Sequence, residues 1–334
     1  MRLDAERKLR ESMGFKDEIV YHYCSIESMY GILSNKSFWL TFLESSNDST
    51  ELKLGEQIIK EAIEELKKDY SSGEYDEILN KILSAPKDKK YNKYKPRFKY
   101  YGLSLVEDKD SLTHWERYSN NSEGVCIGLN IALIKNLFMV SGLSDISSDW
   151  LRIIPIIYSY EEQINYAKSS IIIKLNELNK EFKDFRKLEH IFSTIYYTTL
   201  QDLRPLYKHQ GFATEKEHRI YLKEGEAESS SSYMRSIINT VSSDSKVLFK
   251  NISNNISDLA TELKVLQKDI KYHVFKDGIR SYYALNLERI WSDVLIPEVV
   301  LGPKCYQNKK ELKNFMKSCD LQRTKVSISK IPLR

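Results

Sequence analysis

The residues with the clearest chemical potential lie close together in the stretch 212–220, which reads FATEKEHRI. Because side chains alternate along a β-strand, an extended conformation would place Glu215, Glu217 and Arg219 on one face. Two carboxylates beside a guanidinium have two interpretations. They form a salt-bridged sheet edge, or they form a carboxylate pair whose charge is held by Arg219 and directed at a ligand. The sequence leaves both interpretations open.

A second group of candidate residues lies near the N-terminus. Residues 19–23 predict a strand that carries His22 and Tyr23, and Ser25 is the predicted N-cap of the helix that follows. The unpaired backbone N–H groups at such a helix start suit an anion, for example a pyrophosphate. An ordinary strand followed by a capping serine explains the same pattern. Trp39 lies in the next predicted strand.

The segment 87–101 is strongly basic and rich in aromatic residues. It holds seven lysines and arginines against one acid, a charge of +6 in a chain whose formal net charge is +4. Cations can neutralise phosphates while aromatic rings stack on bases. A solvated loop is the alternative. The residues that we expect to contact nucleic acid are Lys89, Lys90, Lys93, Tyr94, Lys95 and Arg97.

The six histidines and four cysteines form no metal-binding pattern. No CxxC, HxxxH or HExxH spacing occurs in the chain. We therefore expect neither a bound metal nor a disulfide scaffold. His22, His209 and His218 have no evident serine or aspartate partner in the sequence, so a hydrolase triad stays open but unsupported.

These residues must be positioned by a chain of 334 residues in which short strands alternate with helices. A hydrophobic fraction of 41% allows a sizeable core and excludes bulk disorder. The alternation predicts an α+β fold with a mixed or antiparallel sheet. The predicted strands are 19–23, 37–41, 100–105, 124–129, 153–158, 212–222, 294–301 and 326–328.

We expect a single domain over residues 1–334. A helical insertion is predicted over about 160–200, and a serine-rich loop plus a helix over about 226–272. No apolar stretch approaches the roughly 20 residues that span a bilayer. The N-terminus is charged throughout and has no apolar core typical of a secretory signal. The expected location is therefore cytoplasmic, without membrane contact.

Several motifs taken together resemble those of the bacterial domain-of-unknown-function family 2971. The resemblance spans nearly the whole chain. The matching positions are Tyr21–Ser25, Leu33, Asn47, Asp48, Glu51, Leu103–Leu105, Trp115, Tyr118, Gly124–Gly128, Glu215–Arg219, Gly302, Pro303 and Ser329–Arg334. The family label names no reaction.

A looser resemblance is to the ADP-ribosyltransferase fold, a split α+β sandwich that grips NAD between two small sheets. It implies that His22 holds the adenosine ribose, that Ser104 braces the site, that Glu217 is catalytic and that Glu215 orients the acceptor. In that fold the middle strand usually carries a Ser-Thr-Ser motif. This sequence departs from it, because Ser104 is the last residue of a Tyr-Gly-Leu-Ser run. The residues expected to contact NAD are His22, Tyr23, Ser25, Trp39, Ser104 and Arg219.

Three functions follow as expectations. The first is an NAD-dependent ADP-ribosyltransferase, a toxin or antiviral effector that modifies RNA or other single-stranded nucleic acid and requires a neutralising antitoxin. The second is an NAD glycohydrolase, which releases nicotinamide without an acceptor. The third is a non-catalytic module that binds nucleic acid or a partner protein.

Overall fold

The computed structural model describes residues 17–45, 51–69, 79–80, 98–140, 151–181, 201–225, 270–275 and 278–333. This part of the chain contains one sheet of ten strands and several helices, so the predicted mixed α+β class is confirmed. Three predicted features fall wholly or partly outside the described residues. They are the basic segment up to residue 97, the predicted helical insertion beyond residue 181, and the serine-rich loop with its helix over 226–269.

The elements are numbered in chain order. The strands are β1 (Ile19–Cys24), β2 (Ser37–Phe42), β3 (Phe98–Val106), β4 (Val125–Asn130), β5 (Leu151–Pro155), β6 (Glu217–Gly225), β7 (Lys271–Phe275), β8 (Gly278–Asn286), β9 (Glu298–Leu301) and β10 (Lys325–Ile328). The helices are α1 (Ile26–Asn35), α2 (Glu51–Asp69), α3 (Leu112–Tyr118), α4 (Ile131–Val140), α5 (Tyr160–Glu181) and α6 (Lys309–Ser318). Short 3₁₀ turns lie at Leu43–Ser45, Gln201–Leu206, Gln210–Glu215 and Glu288–Ile290.

The long central strand β3 organises the sheet. The main strand order is β10-β9-β4-β1-β3-β2-β8-β7, and β6 pairs with both β3 and β5. One edge of β3 pairs with β6 along its whole length, from Phe98 opposite Gly225 to Val106 opposite Glu217. The other edge is shared, because β1 pairs only at Val106 and β2 only at Tyr101 and Gly102. Among the described pairings, residues 103–105 of β3 therefore have no strand partner on this edge. The sheet is split there, between β1 and β2.

One face of the sheet carries the main hydrophobic core. It combines strand residues such as Leu103 and Ile127 with Leu33 of α1 and with Leu312 and Met316 of α6. Each fully buried side chain of this kind contributes about 1.5–3 kcal/mol. Ser25 caps α1 as predicted, since its Oγ accepts a hydrogen bond from the Ser28 backbone N–H at 3.1 Å. These contacts hold α1 and α6 side by side on this face.

The opposite face carries three further clusters. Near the start of β3, Tyr100 and Tyr221 pack with Leu43 and Leu52, and α2 packs with α5 and the 201–206 turn in the neighbouring cluster. Around Trp115, an aromatic cluster joins Tyr21 and Tyr23 to the sheet. The residues considered below as a site lie between these clusters.

The strand predicted over 294–301 begins only at Glu298, and two other sequence-based assignments differ further from the structure. Residues 212–216 are not extended, because Gln210–Glu215 forms a 3₁₀ turn that ends at Lys216 in the left-handed region, with φ of 43°. His209 begins this turn by accepting a hydrogen bond from the Gly211 N–H at 3.1 Å. The structure also contains the antiparallel hairpin β7–β8, where the sequence analysis placed no strands.

Candidate functional site

The candidate site is built on the paired strands β3 and β6. Ser104 lies opposite Arg219 in the register, and Val106 lies opposite Glu217. Strand alternation therefore puts the side chains of Ser104, Glu217 and Arg219 on the same face. Ser104 is exposed, and its Oγ donates a hydrogen bond to Glu217 Oε1 at 2.6 Å. An accessible hydroxyl thus lies directly against a carboxylate that is only 2% exposed.

The Glu217 carboxylate is held by two cations. Arg219 Nε donates to Oε1 at 2.9 Å, and Lys208 Nζ donates to Oε2 at 2.9 Å. Burial alone raises the pKa of a carboxyl group, but the charges of Arg219 and Lys208 and the Ser104 hydrogen bond lower the pKa of Glu217 to about 2. Glu217 is therefore ionised throughout the physiological pH range.

Glu215 belongs to the same network although it lies in the 3₁₀ turn. It is 4% exposed. Its Oε2 accepts a hydrogen bond from Lys208 Nζ at 2.7 Å, and its Oε1 accepts one from the Tyr118 hydroxyl at 2.7 Å. Among the described residues, Glu215, Glu217, Lys208 and Arg219 thus form a buried cluster with two negative and two positive charges.

Two tyrosines complete the surroundings of the carboxylates. The Tyr158 hydroxyl accepts a hydrogen bond from the Glu217 backbone N–H at 2.9 Å. Burial and the hydrogen bond to Glu215 raise the pKa of Tyr118 to about 12, and burial raises the pKa of Tyr158 still further. Both hydroxyls therefore remain protonated, and the Tyr118 hydroxyl acts as a hydrogen-bond donor toward Glu215.

His22 approaches the site through the backbone of Ser104. Its Nδ1 lies 3.2 Å from the Ser104 carbonyl oxygen, so that nitrogen carries the proton of the hydrogen bond. Alternation along β1 places the His22 side chain on the face opposite the Ser104 hydroxyl, and its ring meets the ring of Phe38 at 5.9 Å. Burial lowers the pKa of His22, which favours the neutral imidazole. His22 and Glu217 are therefore joined through one residue, Ser104, from opposite faces of the sheet.

The remaining residues expected to contact NAD have other partners in the structure. The Tyr23 hydroxyl donates to the Asp108 carbonyl at 2.8 Å, and its ring packs against His114 and Trp115. The Ser25 hydroxyl caps α1. Trp39 is half-buried and stacks on Tyr282 of β8, with 4.2 Å between ring centroids.

Of the residues predicted from the sequence, the structure brings together Glu217, Glu215, Arg219 and Ser104, whereas His22 contacts only the Ser104 carbonyl from the opposite face of the sheet. Lys208, Tyr118 and Tyr158 also belong to the site and were not predicted. The chain brings them in from three separate segments. Lys208 and Tyr158 lie in no motif, and the Trp-x-x-Tyr pattern that includes Tyr118 assigns it no role in a site.

The six residues predicted to contact nucleic acid lie outside the described residues. They are Lys89, Lys90, Lys93, Tyr94, Lys95 and Arg97. That interface stays a prediction. Within the described part of the chain, no group of three or more His, Cys, Asp or Glu side chains is arranged to hold a metal ion. None of the helices described here has both the length and the apolar character needed to cross a membrane.

Fold and site together define a mixed α+β protein with a buried, charge-balanced carboxylate network beneath an exposed serine. Residues 114–220 match a family model described as "Protein of unknown function (DUF2971)". This stretch includes Trp115, Tyr118 and the motifs at 124–128 and 215–219, so the first resemblance is supported there. No curated protein and no solved structure matched the chain. The resemblance to ADP-ribosyltransferases stays a prediction.

Proposed function

We propose that the protein is an NAD-dependent ADP-ribosyltransferase in which Glu217 stabilises the ribosyl cation formed from NAD. The observation that supports this proposal is the hydrogen bond between exposed Ser104 and ionised Glu217, at the split between β1 and β2. The resemblance implies a serine on a middle strand and a glutamate on a late strand, and β3 and β6 carry Ser104 and Glu217.

The proposed reaction breaks the bond between nicotinamide and ribose. Nicotinamide leaves with the bonding electrons as a neutral molecule, so no acid is required. The ribose carbon becomes electron-poor until an acceptor oxygen attacks it and loses a proton. A fixed carboxylate beside the sugar lowers the energy of this transition state, an effect of about 10²–10³ in rate for a single well-placed group.

The low pKa of Glu217 suits this role. A carboxylate that stabilises positive charge must be ionised, whereas a general acid must be protonated. The cations that keep Glu217 ionised also fix its position. Ser104, held by Glu217 and accessible from outside, would contact a ribose hydroxyl. The His22 side chain lies on the opposite face of the sheet, so its position does not support the expected contact with the adenosine ribose.

The proposed acceptor is RNA or other single-stranded nucleic acid, and the proposed role is that of a toxin or antiviral effector. The predicted basic segment 87–101 supports this acceptor through its charge and its tyrosines. Such an activity inside a cell would require a neutralising partner protein.

One observation favours a second candidate, an NAD glycohydrolase. Transfer to a hydroxyl acceptor needs a group that takes the acceptor proton, and Glu215, which the resemblance implies orients the acceptor, is the candidate for this. Both Glu215 oxygens are already occupied, one by Lys208 and the other by Tyr118. With water as acceptor, the same Glu217 chemistry would release nicotinamide and ADP-ribose.

The test is to incubate the protein with NAD labelled in the adenylate half, with and without total cellular RNA, and to measure released nicotinamide and label on RNA. Transfer of label to RNA supports the transferase, and nicotinamide release without transfer supports the glycohydrolase. No nicotinamide release under either condition would contradict both enzymatic proposals. The protein would then be the non-catalytic module that binds nucleic acid or a partner protein.

The variant that links activity to this site is Ser104→Ala. Since Ser104 is exposed, we expect the variant to fold and to release nicotinamide about tenfold to a hundredfold more slowly. Ser327→Ala, a half-buried serine of β10, is the matched control and should retain full activity. Full activity of Ser104→Ala would place the reaction elsewhere. Glu217→Gln is less informative alone, because it leaves two buried cations without their carboxylate.

A further inference from the structure

We propose that the exposed side of α6 and the adjoining loop bind single-stranded nucleic acid. This lysine surface consists of Lys309, Lys310, Lys313 and Lys317 on the helix, with Tyr306 just before it. All five side chains are exposed, and Tyr306 is 95% exposed. The surface shares no residue with the basic segment 87–101.

The lysine surface carries positive charge that nothing in the described part of the protein neutralises. Residues 302–333 contain eight lysines and arginines but only two acids, Glu311 and Asp320. Asp320 pairs with Lys36 at 2.7 Å, which removes it as a partner for the helix. Among the described residues none of the four α6 lysines forms an ion pair. The excess positive charge of α6 is therefore available to bind an external anion.

The arrangement is unfavourable without such an anion. Lys309, Lys313 and Lys317 follow one another at i,i+4 spacing, and like charges at that spacing repel one another. The helix is nevertheless firmly placed, because Leu312 and Met316 are buried in the core and the Asn308 side chain caps its N-terminus at 2.9 Å from the Lys310 N–H. The row of cations thus has a fixed spacing.

An exposed aromatic ring just before the cations favours nucleic acid with unpaired bases. Tyr306 has almost its whole side chain in water and precedes Lys309 by three residues. Aromatic platforms next to lysines bind single strands by combining base stacking with phosphate contacts. An acidic protein or an anionic membrane would bind through the positive charge alone and would leave the exposed aromatic side chain without a role.

This surface is separate from the Ser104–Glu217 site. Leu312 and Met316 attach α6 to the main core, and the Glu217 network lies on the other face of the sheet. The inference therefore does not depend on the proposed NAD chemistry. Binding can be measured without NAD, and its outcome leaves the catalytic proposal unaffected.

The experiment measures fluorescence anisotropy of a labelled 20-nucleotide single-stranded RNA with the full chain. The charge-reversal variant Lys309→Glu/Lys313→Glu/Lys317→Glu is compared with Lys53→Glu/Lys60→Glu/Lys68→Glu, which changes the charge equally on α2. The 87–101 segment is itself predicted to bind RNA, so both variants should keep some RNA binding. The test is therefore the difference between the Kd values of the two variants. We expect Kd to rise at least tenfold for the α6 variant and less than threefold for the α2 variant.

Two further measurements test the nature of the ligand. Loss of three phosphate contacts should reduce the slope of log affinity against log salt by about 2 for a single strand. Tyr306→Ser should weaken binding of the single strand by about fivefold or more and leave a duplex of the same length unaffected. Equal losses in the two triple variants would overturn the proposal. So would binding of polyglutamate or anionic phosphatidylserine vesicles through α6 without binding of RNA.

Discussion

Lys208 is the residue on which the buried network depends most. Its ammonium lies 2.7 Å from Glu215 Oε2 and 2.9 Å from Glu217 Oε2. Two carboxylates this close would repel each other strongly in a buried site without the cation between them. The charges of the network balance only while all its members are present. Removing one charge should therefore lower the free energy of unfolding by more than a surface ion pair contributes to it.

At this position we predict that Lys208→Met destabilises the protein by about 3–5 kcal/mol, the usual cost of leaving a buried charge without its partner. Adding Glu215→Gln should restore part of the loss, because one of the two uncompensated carboxylates is then removed. The measurement is urea unfolding followed by circular dichroism.

Arg117→Ala is the matched control for that experiment. The Arg117 guanidinium lies 3.7 Å from the same Glu215 carboxylate but is largely exposed, so its loss should cost less than about 1 kcal/mol. Additive effects of Lys208→Met and Glu215→Gln would contradict the charge-balance argument, since independent sites show no coupling in a double-mutant cycle.

The sequence could predict part of this site for a clear physical reason. Glu217 and Arg219 are two residues apart on one strand, so alternation alone puts them on the same face. Ser104 came from the resemblance, and its pairing opposite Arg219 could not be read from the sequence because register depends on long-range contacts. Lys208, Tyr118 and Tyr158 reach the carboxylates through tertiary packing, which leaves no local pattern.

At the scale of elements, two helical glycines in different surroundings provide a matched pair. In α1, a Cβ added at Gly31 would have no atom within 4 Å, whereas in α2 a Cβ at Gly55 would lie 2.5 Å from the Arg204 carbonyl oxygen. Both glycines lower the intrinsic helix stability by about 0.5–1 kcal/mol relative to alanine. Only Gly55 is required for close packing, because α2 contacts the 201–206 turn there.

We predict opposite effects of alanine at these two positions. Gly31→Ala should stabilise the protein by up to about 1 kcal/mol. Gly55→Ala should destabilise it by about 1–3 kcal/mol, since the helix must move away from the 201–206 turn. Thermal unfolding of both variants measures the difference. A stabilising Gly55→Ala would show that α2 does not pack this closely.

The elements that the sequence missed have identifiable causes. The β7–β8 hairpin follows a recognisable signal, since Asp277-Gly278 lies between Tyr272–Phe275 and Ile279–Tyr283, two runs rich in β-branched and aromatic residues. The 3₁₀ turn at Gln210–Glu215 is harder to predict. It ends at Lys216 with φ of 43°, a conformation usually marked by glycine or asparagine. Without that marker, the charged run resembled the start of a strand.

At the scale of the whole molecule, stability should depend on the buried histidine His114. It is 1% exposed, and its ring stacks against Tyr23 with centroids 5.2 Å apart. In the described part of the protein, neither ring nitrogen has a partner at full hydrogen-bond geometry. Burial lowers the pKa of His114, the charges of Glu215 and Asp108 and the nearby Glu215 backbone act in the opposite direction, and Arg117 lowers it further. Burial lowers the pKa of His22 as well.

The direction of the pH dependence follows from linkage. A histidine whose pKa is lower in the folded state binds its proton more readily when unfolded, so acid favours unfolding. The free energy of unfolding should therefore fall as the pH drops below the unfolded pKa of about 6.5, and level off below the folded pKa values. Glu217, with its pKa of about 2, stabilises the folded state above about pH 4.5, and this stabilisation is lost only as the pH falls from there toward 2. The loss of stability from the histidines therefore begins at a higher pH than the loss from Glu217.

We predict that His114→Phe flattens the decline in stability between pH 7.5 and pH 5, because phenylalanine keeps the aromatic packing and cannot bind a proton. Urea unfolding at several pH values measures the slope. His273→Gln removes an exposed histidine and should keep the slope of the original protein. Some slope should remain in His114→Phe, since His22 still titrates. If His114→Phe and the original protein lose stability equally, protonation of His114 does not oppose folding, and the pH dependence has its origin at His22 or elsewhere.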